Sequence, residues 1–301
     1  MDTRRTTRIA SSIVVATGAL WGLYWFPARR LAEIALPGAW GALAIVAAAM
    51  VLLAPLALRR RHELADADPW ALASVALGGA GFVLYSVGFV YGRVAIVILL
   101  FYLTPVWSTL IGRYVMGWRL PHLRAAAIAV GVAGLVVMLG GDGGVPVPRG
   151  AGEWLALLSG LLWSIATTGI RTRSTLGPAS AAFVFASGAV VGALLLAPFL
   201  EPLPAGVPRA SVLPAIGWTL AAGGLWWGAS VAALMWSAAR LEPARVGLLL
   251  MAEVLVGATS AAYLAGERLG SWEIAGGALV LCASILEVWP MRGRRDRRSP
   301  P

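Results

Sequence analysis

The chain has 301 residues, of which 59% are apolar and 13% are charged, whereas soluble domains carry about 25% charged residues. The apolar residues fall into about ten blocks of roughly 20 residues, the length that crosses the hydrocarbon core of a bilayer. The polar stretches between the blocks are too short to build a core of their own. The sequence therefore predicts an all-α polytopic membrane protein and excludes a soluble domain.

Ten transmembrane helices are predicted from these blocks. In chain order they cover Ile9–Phe26, Gly38–Leu58, Trp70–Tyr91, Val94–Val115, Leu123–Leu139, Glu153–Arg171, Ala179–Phe199, Leu213–Ala239, Ala244–Ala265 and Trp272–Trp289. The first block follows a basic segment, as a secretory signal does, but it contains Trp21, Tyr24 and Trp25 and lacks a small-residue cleavage site. We therefore expect it to remain in the protein as the first membrane helix.

The basic residues, which are all arginines, predict the orientation of these helices. Of the 24 arginines, 17 lie in the even-numbered connections and the two termini, and six lie in the odd-numbered connections. Because basic residues are enriched in cytoplasmic loops, both termini are predicted to be cytoplasmic, in an inner membrane of bacterial type. This topology explains the net charge of +10 better than the alternative, a basic tail that binds nucleic acid or anionic lipid, so no nucleic-acid partner is predicted.

The residue types that are missing exclude most catalytic chemistry. A chain without lysine has no phosphate-loop lysine and no Schiff-base lysine for pyridoxal phosphate or retinal. Cys282 is the single cysteine, and the two histidines, His62 and His122, lie beside arginines in short polar loops, so that no disulfide and no metal site is predicted. We expect a protein that is not an enzyme and that binds no cofactor and no metal.

An internal repeat divides the predicted helices into two groups of five. At an offset of 149 residues, Val94–Leu139 aligns with Pro243–Val288, and the turn at Gly117–Leu120 matches the turn at Gly266–Leu269. The repeat predicts residues 1–141 and 142–301 as two halves, the second with a basic cytoplasmic tail. Five is an odd number, so the second half enters the membrane inverted, which is typical of transporters that alternate their access. Chance matches between helices rich in alanine and leucine are the alternative.

These features carry a family resemblance. The ten-helix arrangement, Leu20-Trp21-Gly22 in helix 1, Leu103-Thr104-Pro105 in helix 4 and Gly266-Glu267-Arg268-Leu269 after helix 9 resemble the drug/metabolite transporter superfamily. Within it, the chain is similar to the ten-helix EamA-type exporters, and in particular to the aromatic amino-acid exporters of the YddG type. The first-half turn departs from the family pattern, because it has Trp118 where the second half has Glu267. The resemblance implies export of small amphipathic metabolites, amino acids including aromatic ones, without ATP and through a cavity between the halves.

Polar and aromatic residues at mid-membrane depth are the candidates for that cavity. Glu253 is near the middle of helix 9, where an ionisable side chain usually faces a wet cavity or a partner. Its repeat equivalent is Thr104, and the adjacent Pro105 removes one backbone hydrogen bond. Trp21 and Trp163, 142 residues apart, are deep tryptophans in equivalent positions of the two halves. The predicted substrate-binding residues are Trp21, Tyr85, Tyr102, Thr104, Trp163, Trp227, Met251 and Glu253.

Several functional alternatives stay open at this point. Glu253 is a candidate for a structural hydrogen bond, for pairing with a substrate ammonium group, or for proton coupling. Each deep aromatic residue is either a stacking surface for a flat ring or packing in the protein interior. A passive channel or a membrane receptor for small molecules also accounts for ten helices. Transport is either downhill or driven by an ion gradient, such as a proton gradient. Separately, the Gly18-x-x-x-Gly22 motif predicts that helix 1 approaches a neighbouring helix closely.

Overall fold

The structure is a computed structural model, and it describes residues 3–117, 122–141, 143–238, 240–241 and 243–288. Within these ranges the regular secondary structure is helical. The α-helices are α1 Thr3–Gly22, α2 Trp25–Ile34, α3 Ala39–Arg59, α4 Arg61–Ala65, α5 Pro69–Tyr91, α6 Val94–Phe101, α7 Thr104–Tyr114, α8 His122–Gly140, α9 Ala151–Arg173, α10 Pro178–Leu200, α11 Arg209–Ala221, α12 Ser230–Ala238, α13 Pro243–Leu250, α14 Ala252–Leu264 and α15 Ser271–Val288, and a π-helix covers Ala222–Ala229.

Seven helical segments of the described chain are long and apolar enough to cross a membrane. They are Arg4–Ile34, Ala39–Arg59, Pro69–Tyr91, Val94–Tyr114, Ala151–Arg173, Pro178–Leu200 and Arg245–Leu264. Shorter apolar helices cover Ala125–Gly140 and Ser271–Leu286. The chain is therefore an all-helical, multi-pass membrane protein, while the count of ten crossings and the orientation of the termini stay predictions. Trp118, Arg119, Leu120, Trp289 and the basic tail lie outside the described residues.

The first helix is longer than predicted and is interrupted. It ends at Gly22, turns at Leu23 and Tyr24, and resumes as α2, which runs to Ile34. The predicted first helix ends at Phe26, so that Arg29 falls in the connection after it. In the structure, Arg29 stays in the helix because its guanidinium donates to the carbonyls of Phe89 and Gly92, each at 2.7 Å.

Two other predicted helices are each broken near their middle. The fourth breaks between α6 and α7 at Tyr102 and Leu103, and the ninth breaks between α13 and α14 at Met251. The first break has a clear cause, because Pro105 lacks the N–H that would bond to the Phe101 carbonyl. The second has no proline, so the sequence did not predict it. Because both predicted helices span the membrane, the two breaks bring helix ends to mid-membrane depth.

The halves of the chain are held together by direct helix packing. Helix α5 packs on α9 and α10, α3 packs on α10, and α8 packs on α15. Small residues bring α1 against the second broken helix: a Cβ added to Gly22 would lie 2.6 Å from the Glu253 carbonyl oxygen and 2.7 Å from the Gly257 nitrogen. The predicted close approach at Gly18 and Gly22 is thus present.

A polar contact links α4, which lies between two of the predicted membrane segments, to the start of α10. The Ser180 hydroxyl donates to the Glu63 carboxylate at 2.7 Å, and Arg60 pairs with the same carboxylate at 3.1 Å. The hydrogen bond from Ser180 is the main reason why the pKa of Glu63 lies below its ordinary value, and Arg60 adds to the effect. This contact fixes the loop between α3 and α5 on the second half of the chain.

Candidate functional site

A cavity of about 220 Å³ lies between the two broken helices. We call it the central cavity. Its lining residues are Trp21, Phe82, Phe101, Tyr102, Thr104, Pro105, Ser108, Trp163, Gly247, Leu248, Leu250, Met251, Glu253 and Ser284. They come from both halves of the chain, so the cavity exists only where the halves meet.

The carboxylate of Glu253 is the charged group of this lining set. Glu253 is 3% exposed and is the second residue of α14, whose amino-terminal dipole favours a negative charge. The Tyr85 hydroxyl donates to its Oε1 at 2.7 Å, and the Tyr102 hydroxyl contacts its Oε2 at 3.3 Å. The first contact is a normal O–H···O hydrogen bond, and the second is longer than one. Oε2 therefore keeps capacity to accept another donor.

The helix breaks release two backbone carbonyls beside this carboxylate. Leu250 and Phe101 are the last residues of α13 and α6. The Leu250 carbonyl accepts from the Tyr102 hydroxyl at 3.1 Å, while the Val254 N–H that would continue the helix bonds to Met251 instead. The Phe101 carbonyl accepts from the Thr104 hydroxyl. Both carbonyls are acceptors outside the regular helix ladder.

Aromatic rings form one wall of the central cavity. Phe82 is at its centre, with ring centroids 5.4 Å from Trp21 and 6.4 Å from Trp163. Phe101 lies 6.3 Å from Trp163 and stacks at 4.5 Å on Tyr85, with 29° between the planes. Offset and tilted packing at these distances is favourable for aromatic rings. The wall offers ring faces to a flat ligand.

Six of the eight predicted binding residues line the central cavity. These are Trp21, Tyr102, Thr104, Trp163, Met251 and Glu253. Tyr85 is 1% exposed and lies behind the wall, where it holds Glu253. Trp227 is 2% exposed, belongs to the π-helix and donates from Nε1 to the Tyr24 hydroxyl at 3.2 Å. Tyr85 and Trp227 therefore pack behind the aromatic wall and do not line the cavity.

Eight of the fourteen lining residues were not among the predicted binding residues, and Phe101, Ser108, Leu250 and Ser284 are four of them. Phe101 directly precedes the first break, and Ser108 lies one helical turn after Thr104, so both could have been found from their spacing. Ser284 donates to the Tyr102 carbonyl at 3.2 Å from a distant helix, and the carbonyl of Leu250 is a backbone group. No sequence pattern marks either of these two.

Ion pairs lie at the ends of the two broken helices that are away from the central cavity, before α6 and after α14. Glu267, in the turn after α14, accepts from Arg29 at 2.8 Å and from the Val94 N–H at 3.1 Å. Arg93, just before α6, pairs with Glu273 of α15. The residues of α6 from Val94 to Leu100 are all at most 5% exposed, so apolar packing fills the space between the ion pairs and the central cavity.

Comparisons with known proteins concern the family and the fold of the chain. Residues 8–140 match the model of the EamA-like transporter family. A crystal structure, described only as that of a protein, is similar with a TM-score of 0.56 and 19% sequence identity over 92% of this chain and 97% of that chain. Fifteen solved chains match in all. At this identity the structural likeness shows the fold alone, and a search of curated proteins finds no match.

Proposed function

We propose that this protein is a transporter of the EamA type that exports small amphipathic metabolites, above all amino acids including aromatic ones. Substrate binds in the central cavity, and two arrangements of the halves expose it to one side of the membrane and then to the other, without ATP. The protein has both termini in the cytoplasm and ten crossings in this proposal. The family match over residues 8–140 supports the transporter assignment.

The observation that carries the proposal is a set of equivalent contacts around the central cavity. A Cβ on Gly18 would lie 3.0 Å from the Leu250 carbonyl oxygen, and a Cβ on Gly160 would lie 3.1 Å from the Phe101 carbonyl oxygen. The two glycines are 142 residues apart, and the two carbonyls are 149 residues apart, which are the offsets of the predicted repeat. Helix α1 thus meets the second broken helix as α9 meets the first.

Further pairs follow the same two offsets. Gly22 packs against the Glu253 carbonyl, and Ser164 donates to the Thr104 carbonyl at 3.0 Å. Gly117 and Gly266 are the first residues of the two equivalent turns, and both have positive φ, of 68° and 66°, a conformation that glycine adopts without steric cost. These pairs support two inverted repeats, the architecture in which two nearly equivalent packings can exchange around a central site.

Transport is tested with the purified full-length protein in proteoliposomes. We expect uptake of labelled tryptophan that is accelerated by unlabelled tryptophan inside the vesicle. Such exchange is expected of a carrier that alternates its access and not of a passive channel, while a receptor would move no substrate. Uptake with and without a proton gradient then separates downhill from proton-driven transport. Uptake of aromatic and aliphatic amino acids no faster than in empty vesicles would contradict the proposal.

The aromatic wall is tested by Trp163→Ala and Trp21→Ala. Each variant removes a ring face worth about 0.5–1.5 kcal/mol, so uptake of tryptophan should weaken by about twofold to tenfold, and uptake of alanine should change less. Trp154→Ala is the matched control, because Trp154 is 55% exposed and outside the central cavity. Equal losses for both substrates at normal expression would assign the rings to packing.

A further inference from the structure

The described lining of the central cavity is unbalanced in charge. It contains one carboxylate, Glu253, and none of its described residues is an arginine or a histidine. A ligand carboxylate that enters this space therefore meets a like charge and finds no cationic partner in the lining. Burial of an unpaired charge costs much more than burial of a paired one. A ligand ammonium group in the same space instead meets a carboxylate of opposite charge.

Several hydrogen-bonding groups of the lining are acceptors that favour the same kind of ligand. The Trp21 indole N–H donates to Ser230 at 2.9 Å, and the hydroxyls of Thr104 and Ser284 donate to backbone carbonyls. These donors are engaged by the protein, and the hydroxyl oxygens of Thr104 and Ser284 keep free lone pairs. The Trp163 indole N–H and the Ser108 hydroxyl also line the cavity and have no partner among the described contacts. The Leu250 carbonyl and the Oε2 atom of Glu253 add further acceptor capacity. The lining therefore suits a ligand group that donates several hydrogen bonds.

An ammonium group has three donors and no acceptor, and the aromatic wall stabilises it further. Trp21, Trp163, Phe82 and Phe101 line the same space, and a cation near the face of an aromatic ring is attracted by the quadrupole of that ring. The carboxylate and the rings thus act on the two parts of one molecule, a charged amine and a flat apolar ring.

We propose that the central cavity recognises the ammonium group of its ligand through Glu253, and that aromatic amines without a carboxylate are ligands at least as good as the corresponding amino acids. The proposal rests on the proposed function in using the same cavity, and it narrows the ligand class. An amino acid binds through its amino group, and its carboxylate is tolerated at a cost.

Four probes that share an indole ring test this ranking on the full-length protein in lipid nanodiscs. Titration calorimetry compares tryptamine, tryptophan, tryptophol and indole-3-propionate, which carry an ammonium, both charges, a neutral hydroxyl and a carboxylate. We expect tryptamine to bind more tightly than tryptophan and about tenfold more tightly than tryptophol, because a hydrogen bond to a charged group is worth at least that factor. Indole-3-propionate should bind most weakly. Tighter binding of tryptophan or indole-3-propionate than of tryptamine would overturn the proposal.

Glu253→Gln tests whether the carboxylate of Glu253 causes the preference for amines. The variant keeps the shape of the side chain and loses its charge, so the affinity for tryptamine should fall about tenfold, to the level of tryptophol. The affinity for tryptophol should be unchanged, which shows that the cavity is folded. Glu33→Gln is the matched control, since that side chain is 62% exposed and is not part of the lining set. Unchanged tryptamine binding in a variant that binds tryptophol would overturn the role of Glu253. If the variant does not fold, the ranking of the four probes on the parent protein decides.

The proposal of transport and the proposal of amine recognition can be contradicted by different results. Proteoliposomes that bind tryptamine in the expected order but move neither tryptamine nor tryptophan would contradict transport and leave the recognition of amines intact. Exchange of tryptophan that tryptamine does not compete with would support transport and contradict the recognition of amines.

Discussion

At the scale of single residues, the carboxylate of Glu253 carries an energetic cost that its neighbours offset. An acidic side chain at the middle of a membrane helix costs about 2.5–3.5 kcal/mol on insertion scales. The hydroxyl of Tyr85 offsets part of this cost, because it donates to Oε1 at 2.7 Å from a position that is 1% exposed. If Glu253 recognises the ligand as we propose, stability and ligand binding depend on the same side chain.

Tyr85→Phe should destabilise the protein by about 0.5–2 kcal/mol, since it leaves Oε1 without this donor inside the membrane. The measurement is the thermal unfolding midpoint of the purified protein in one detergent. Tyr263→Phe is the matched control, because Tyr263 is 87% exposed and no shift should follow. Equal unfolding midpoints for Tyr85→Phe and the parent protein would show that the contact contributes nothing to stability.

The sequence predicted the depth of Glu253 but not its partners. Depth follows from the position of a residue within an apolar block, which is local information. The pairing of Glu253 with Tyr85 and Tyr102 joins positions 168 and 151 residues apart, and no spacing rule connects them. Depth alone also could not separate residues that line the cavity from residues behind it. Tyr85 and Trp227 were therefore predicted as binding residues, while the structure places both behind the aromatic wall.

At the scale of elements, the positions of the helices were predictable, and their interruptions were only partly so. Apolar blocks of membrane length set the positions because each must cover the hydrocarbon core. Pro105 marks the first break, whereas the break at Met251 and the π-helix at Ala222–Ala229 have no such marker. The Trp226 indole donates to the Leu20 carbonyl at 2.7 Å, so tertiary contacts accompany the irregular backbone of that helix.

Gly22→Ala tests the contact between α1 and the second broken helix. The added Cβ would come within 2.6 Å of the Glu253 carbonyl oxygen, which is backbone and must shift. We expect a loss of about 1–3 kcal/mol in stability, as for overpacking in general, together with weaker binding in the central cavity. Gly217→Ala in α11 is the matched control, because open space surrounds that glycine and alanine favours the helix. A Gly22→Ala variant as stable as the parent would show that α1 can move away without cost.

At the scale of the whole molecule, the two ends of the broken helices differ. The central cavity extends from the breaks along α7 and α13 to Ser108, Gly247 and Leu248, toward the side that the arginine distribution predicts to be cytoplasmic. The opposite end is closed by buried α6 and by the pairs of Arg29 with Glu267 and of Arg93 with Glu273. Arg29 belongs to the predicted first half and Glu267 to the predicted second half. In the proposed transport cycle, an arrangement open to the other side therefore requires this link to separate.

Glu267→Gln should therefore shift the protein toward the arrangement that opens at this end. The change removes the charge that holds Arg29 and weakens the cap on the Val94 N–H, whereas the central cavity keeps its lining. With Cys282→Ser as background, a cysteine introduced by Val97→Cys, at a position that is 0% exposed, should react several-fold faster with a membrane-impermeant thiol reagent added outside the cell. Arg30→Ala is the matched control, since Arg30 pairs only locally with the exposed Glu33 at 3.0 Å among the described contacts. Labelling that stays as slow in Glu267→Gln as in the control would show that the apolar packing of α6, and not the ion pair, keeps this end closed.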